Sequence, residues 1–270
     1  MTRYSCFICF VKALVKSIFI YPIKSMQGVS LSAVQLTPTG LKDDRKYMLI
    51  DSENKFVSQR SLSKLAQFQV RISDQELLVQ RGIDQLSIKQ DDFQKEQSID
   101  VHIWDEECKA HPALESINSW FSNQLDKEVR LVEYVSGTRV RKKKSPFETQ
   151  FPDGYPVLVT NTRSLSFLNS QLKNPVPMER FRPNIVMDFQ KEQIEFSSSI
   201  LTAKNAILEN RKPCERCQVI TIDQKTGIRK DKEVLSKIVD TERKAAVFGI
   251  NCTVGKAGRI SLGDEFDLSS

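Results

Sequence analysis

The chain has 270 residues, 40% of them hydrophobic and 27% charged, with 40 Lys and Arg against 34 Asp and Glu. That length allows about two domains and a core that folds without covalent staples, and the composition is that of a globular chain, for which disorder is not the default. The net charge of +6 favours an anionic ligand but is too small to argue for nucleic acid, and no nucleic-acid partner is expected.

In chain order, Tyr4 to Ile20 is apolar but interrupted by Lys12 and Lys16. A membrane-spanning helix needs about 20 mostly apolar residues, so no stable membrane anchor is expected. Residues 1–15 read as an N-terminal extension that leads into a first strand, Ile18-Phe19-Ile20-Tyr21, stopped by Pro22. Lys46 to Ile50 is a further strand, ending in the turn residues Asp51-Ser52-Glu53-Asn54. Short runs at 70–72, 77–79 and 86–88 are evenly spaced. Ile99, Val101 and Ile103 then alternate with Asp100 and His102 at strand period. Several short strands at this spacing predict a barrel or sandwich.

After Pro112 the period changes, with Leu114, Ile117, Phe121 and Leu125 on one helical face, which is read as core. Val129 to Tyr134 is again a strand. The run Arg139-Val140-Arg141-Lys142-Lys143-Lys144 then reads as a solvated loop or an anion-binding flap. The domain boundary is placed just before that run. Beyond it, Tyr155 to Val159 is a strand, Asn161 caps a helix carrying Leu165, Leu168 and Leu172, and Phe181 to Met187 starts another strand. A third helix is expected near 233–239, followed by short glycine-punctuated strands.

Six cysteines are too sparse for a disulfide scaffold, and no secretory cleavage pattern is evident, so a cytoplasmic location is expected. Cys214 and Cys217 stand three positions apart with Arg216 between them, ahead of a run, Gln218 to Asp223, that reads as a strand. A cation beside a thiol favours the thiolate, the form that attacks electrophiles and binds soft metals. The same pair is equally compatible with two ordinary reduced cysteines; a zinc site completed by Cys6 and Cys9 is a weaker alternative, because the two pairs stand far apart in the chain, unlike the compact spacings of zinc sites. Lys24 and Ser25, Arg45, Arg182 and Asn184, and Arg216 all fall at predicted strand ends. Guanidinium and turn N–H groups there suit a phosphate-bearing ligand.

Tyr21-Pro22-Ile23-Lys24-Ser25, Gly40-Leu41 with Asp44-Arg45, Phe181-Arg182-Pro183-Asn184, Lys212-Pro213-Cys214-Glu215-Arg216-Cys217 and Gly263-Asp264 resemble, in order and spacing, the MOSC family. The resemblance is to its branch with an N-terminal MOSC β-barrel domain, which includes amidoxime-reducing proteins and bacterial proteins that detoxify N-hydroxylated bases. It implies a mixed α+β, predominantly β fold of two barrel-like domains with a few flanking helices, at residues 16–134 and 135–270. It also implies a molybdenum cofactor, a pterin dithiolene holding the metal, with Cys217 as the metal's protein ligand and Cys214 as a neighbour. Lys24, Ser25, Arg45, Arg182, Asn184 and Arg216 match the family's cofactor contacts, and Asp153 matches an acidic residue near the metal that donates a proton or orients substrate. The implied reaction is two-electron reduction of an N–OH or N-oxide group, the redox chemistry belonging to the cofactor.

Two departures bear on this expectation. Gly154-Tyr155 stands where some relatives have Thr-Ser, and after Leu262 to Leu268 no cysteine-rich motif for an iron–sulfur cluster follows. Electrons are therefore expected from a separate ferredoxin-, flavin- or cytochrome-type protein, for which the basic run at 139–144 is a candidate dock. The alternatives from other classes are a non-enzymatic carrier of the cofactor or of a persulfide, and a cysteine-bound zinc module.

Overall fold

The computed structural model describes residues 11–73, 76–142 and 145–269. The fold is predominantly β, with a closed seven-strand barrel and a half-barrel, and three α-helices among the described residues.

The barrel runs through Val157–Asn161, Ile185–Phe189, Val11–Ile20, Glu265–Ser269, Ile200–Thr202, Ile207–Glu215 and Ala245–Lys256, and closes where the last of these pairs with the first. The strand Val11–Ile20 begins before the expected residue 18. Residues 11–14, read above as part of an extension, pair with Glu265–Ser269 in the barrel wall. Ala13 and Val15 point into the core, and then Ile18 and Ile20 do so. A strand keeps one face at every second residue, so the switch from odd to even positions needs an extra residue, and the register shifts between Val15 and Ser17. Odd positions 157 and 159, then 185, 187 and 189, and even positions 250 and 252 supply more of the same core. Val157–Asn161 and Ile185–Phe189 are parallel, so a crossover is required, and the helix Thr162–Asn169 begins it. Asn161 caps that helix as expected, its side chain accepting from Arg163 N–H at 2.9 Å.

The half-barrel side contains an antiparallel sheet ordered Tyr47–Ile50, Arg130–Tyr134, Glu106–Pro112, Ile99–Ile103. Leu49 and Leu131 face one core with Phe68, Ile117, Phe121 and Leu125, the last three on the helix Glu115–Leu125. Met48, Ile50 and Val132 face another core with Val101, Ile103 and Phe151. Both faces of this sheet are therefore covered, which explains near-continuous apolar runs in its central strands. A meander of Gln69–Ile72, Glu76–Arg81 and Asp84–Lys89 packs Val70, Leu77, Val79 and Ile88 onto the first of these cores.

Two expectations are corrected. Gln218 to Thr221 is a 3-10 turn, not a strand. Ile220 N–H bonds back to Cys217 O and Ile222 N–H to Val219 O, and Ile220 packs beside Val234 and Phe248, so tertiary burial overrides the local β preference. The basic run is not a solvated loop at its start. Arg139 is buried, donating to Glu106 and to the carbonyls of Gln150 and Pro152, and Arg141 pairs with the same Glu106. Lys143 and Lys144 of that run, like Cys6 and Cys9, lie outside the described residues. No helix among the described residues is long and apolar enough to cross a membrane.

Candidate functional site

A cleft of about 360 Å³ opens between the half-barrel and the barrel, and seven of the eight residues singled out above line it: Lys24, Ser25, Arg45, Asp153, Arg182, Arg216 and Cys217. They arrive from the turn after the first strand, the approach to Tyr47–Ile50, the loop before Val157–Asn161, the end of a 3-10 turn, and the end of the cysteine strand. The eighth, Asn184, is fully buried behind the wall. Its Oδ1 accepts from Arg45 Nη2 at 2.6 Å and from Leu158 N–H at 3.0 Å, and its Nδ2 donates to Phe19 O. Asn184 thus reaches the cleft only through Arg45.

The turn backbone is unusual. Ser25, Arg45 and Arg182 all have positive φ, at 71°, 51° and 51°. Side-chain-bearing residues adopt this region at a cost, and it recurs where binding groups must be aimed. Arg45 is tied to Asp44, itself buried and accepting from Tyr21 N–H. Burial raises the Asp44 pKa, against the pull of Arg45. Arg182 lies over the Tyr21 ring, 4.2 Å from its centroid, and donates to Gln224 Oε1. Burial pulls its pKa down, to about 10, leaving it charged at neutral pH.

Lys24 is buried, with Nζ donating to Phe151 O at 2.7 Å and to Asp153 Oδ1. Burial lowers its pKa to about 8 against the opposing pull of Asp153. The Asp153 side chain remains 57% open to the cleft. Its surroundings tend to raise its pKa, but Lys24 and then Arg60 outweigh them and hold the carboxylate ionised well below its usual range. An ionised carboxylate accepts hydrogen bonds.

The two thiols differ in their partners. Cys214 Sγ accepts from Arg216 Nη1 at 3.0 Å, while Cys217 Sγ accepts from Arg60 Nε at 3.3 Å. Both are free and partly buried. Arg60 was not singled out in the sequence, and neither was Gln59, which ties Ser25 O to Gln224; Arg141, read there only as part of the basic run, donates to the carbonyls of Asp153 and Gly154. No periodicity or local motif marks Arg60; only the fold brings it across 157 residues to the thiol.

Among the described residues neither Arg182 nor Arg216 has a carboxylate partner, and Arg216 Nε is buried with no partner at all. Buried donors without acceptors are costly. Two unneutralised guanidinium groups, an orphan N–H and a soft sulfur in one cleft fit an anionic, metal-bearing group of cofactor size. No group of three or more His, Cys, Asp or Glu suited to a metal occurs among the described residues.

The chain matches two known domains: residues 12–128 match the MOSC N-terminal beta barrel domain and residues 146–267 the MOSC domain. The chain is a member of the MOSC family, with both domains in that order. It is 27% identical over 273 residues to mitochondrial amidoxime reducing component 2 of Bos taurus, covering 93% of this chain and 81% of that one. Against the Homo sapiens protein of the same name the identity is also 27%, with 93% and 82% covered. A molybdenum cofactor sulfurase of Oryza sativa subsp. japonica is 29% identical over 87% of this chain, which spans 32% of that protein.

Proposed function

We propose that the chain is a molybdenum-cofactor-dependent oxidoreductase that reduces N-hydroxylated compounds such as amidoximes, N-hydroxylated bases and N-oxides. The observation that carries this reading is the convergence on one cleft of Cys217, two arginines without carboxylate partners and an ionised Asp153. The amidoxime reducing components, similar over nearly the whole chain, support the reaction class.

The cofactor, when bound, supplies the two-electron redox chemistry and Cys217 is its metal's protein ligand. Arg45, Arg182, Arg216, Lys24 and Ser25 hold its anionic part, with Asn184 fixing Arg45. Asp153, ionised and open to the cleft, accepts a hydrogen bond from the substrate's N–H or O–H and orients it. In the balance, the N–O bond breaks, two electrons and two protons enter, and water leaves. The electrons come from a separate donor protein. The four described cysteines are free, in keeping with a reducing compartment, but the relatives' names are mitochondrial and do not favour the cytoplasm over it.

A second reading, a carrier of the cofactor or of a persulfide on Cys217, is favoured by the similarity to a molybdenum cofactor sulfurase. Metal and pterin analysis of protein from a host that makes the cofactor, combined with turnover of an N-hydroxylated base by a reduced donor, separates the two. Stoichiometric molybdenum, lost in Cys217→Ala, together with turnover is expected. Bound molybdenum without turnover across a panel of donors favours the carrier, and zinc without pterin overturns both.

A further inference from the structure

Arg60 links groups that the proposed chemistry uses but does not itself belong to the set recognisable from sequence. Its Nε donates to Cys217 Sγ at 3.3 Å, and its Nη2 stands 3.8 Å from Asp153 Oδ2. The guanidinium plane lies against the ring of Trp104, 4.2 Å from the centroid. Trp104 in turn meets Phe56 edge-on at 4.8 Å.

The placement of Trp104 is itself informative. It occupies the turn joining Ile99–Ile103 to Glu106–Pro112, with φ of 56°. A bulky aromatic side chain in the left-handed region is an outlier, where glycine or asparagine would be unstrained. Core packing does not account for it, since Trp104 is 48% exposed. What the strained turn achieves is a flat aromatic surface under Arg60, and arginine is the side chain that combines such stacking with a rigid fork of donors.

The fork has separate jobs for separate nitrogens. Nε meets the sulfur, the terminal nitrogen meets the carboxylate, and the face of the group is held by the indole. The Arg60 backbone is anchored too. Its carbonyl accepts from Arg229 Nη2, and Arg229 Nη1 donates to the side chain of Gln218, the residue after Cys217. The loop carrying Arg60 and the turn carrying Cys217 are therefore joined twice.

We propose that Arg60, held by Trp104, is a positioning residue that fixes the sulfur of Cys217 relative to the carboxylate of Asp153. The proposal rests on Cys217 being the metal ligand only for its catalytic consequence; the positioning itself is a property of the chain alone. The half-barrel thus contributes directly to the thiol site of the barrel. A lysine is not an equivalent replacement, because its single point charge cannot meet sulfur and carboxylate while stacking on a ring.

The test has two parts. In cofactor-free protein, the Arg60 Nε–H resonance is followed by ¹⁵N–¹H correlation spectroscopy. Cys217→Ala is expected to move it by removing the acceptor, Trp104→Leu by removing the ring current, and Trp104→Phe to return it toward the wild-type position. A resonance unmoved by both Cys217→Ala and Trp104→Leu overturns the proposal, whatever metal the protein binds. In cofactor-loaded protein, Arg60→Gln and Arg60→Lys are expected to alter the Mo(V) electron paramagnetic resonance signal and to lower metal retention or turnover by about 10-fold or more, as partners of metal ligands typically do. Superimposable spectra with turnover within twofold of wild type, in protein whose molybdenum is lost on Cys217→Ala, also overturn it. Failure of the underlying site reading is distinguished by Cys217→Ala, which then retains molybdenum while the resonance still moves.

Discussion

Oδ1 of Asn184 accepts from Arg45 Nη2 at 2.6 Å and from Leu158 N–H at 3.0 Å, so one buried amide joins a cleft cation to a strand of the barrel wall. The family resemblance implies Asn184 as a cofactor contact; in the fold its buried amide holds Arg45, whose side chain lines the cleft.

Replacing Asn184 with leucine leaves the Leu158 N–H buried without an acceptor and frees the Arg45 side chain from one of its two anchors. A loss of about 2 kcal/mol or more is expected, the desolvation cost of an orphaned buried donor plus the lost charged hydrogen bond. Urea unfolding measures it. Cofactor retention should also fall, resembling Arg45→Ala more than an ordinary core variant; unchanged retention would separate Arg45 from the binding site.

Lys24 has a pH-dependent signature. Its pKa falls from 10.5 to about 8 on folding, chiefly by burial, so between these values the unfolded chain binds more protons and stability contributed by this group rises with pH. Below about pH 8 the full cost of burying the charge is present. Relative to wild type, Lys24→Met should therefore be most favourable near pH 7 and lose about 3 kcal/mol of that relative position as pH rises to 10.5. A difference in unfolding free energy that stays flat across this range would contradict the burial argument. At pH 7 the same variant should retain less cofactor.

Gly249 tests the closure of the barrel. Its φ is 75°, and a Cβ there would stand 2.5 Å from Val159 O and 2.8 Å from Thr160 Cγ2. These residues belong to the strand that pairs with Ala245–Lys256 to close the ring. Gly249→Ala should cost more than about 2 kcal/mol, from backbone strain and a clash with a carbonyl that cannot move freely. Loss of soluble, cooperatively unfolding protein, with Gly82→Ala as a control in open space, is the readout.

Much of the half-barrel was readable because its strands follow a simple rule. Ile99, Val101 and Ile103 alternate with polar residues, and the strand has the expected limits. The cysteine strand, Ile207–Glu215, escaped recognition because Pro213 and four charged side chains break the pattern. It tolerates them because its pairing with Ala245–Lys256 is irregular between Asn210 and Lys212 and again between Pro213 and Glu215, and a proline's missing N–H costs little at such a point. The run after Cys217 looked like a strand because Val219, Ile220 and Ile222 are β-branched, yet Ile220 is needed as a plug beside Phe248. Site residues inside contiguous motifs were accessible, since short local sequences carried them. Arg60 and Trp104 were not, because their chemistry arises only from the meeting of two loops.

The first strand has a consequence for how the molecule is made. Val11–Ile20 sits between Ile185–Phe189 and Glu265–Ser269, so both of its barrel neighbours are synthesised long after it. On the ribosome only its last residues, 18–20, find an early partner in Val29–Leu31; the rest waits for its barrel neighbours, the last emerging after roughly 10 to 50 s at about 5–20 residues per second. The ring cannot close as an early, independent unit, and its first strand is the segment that most needs protection from aggregation during translation.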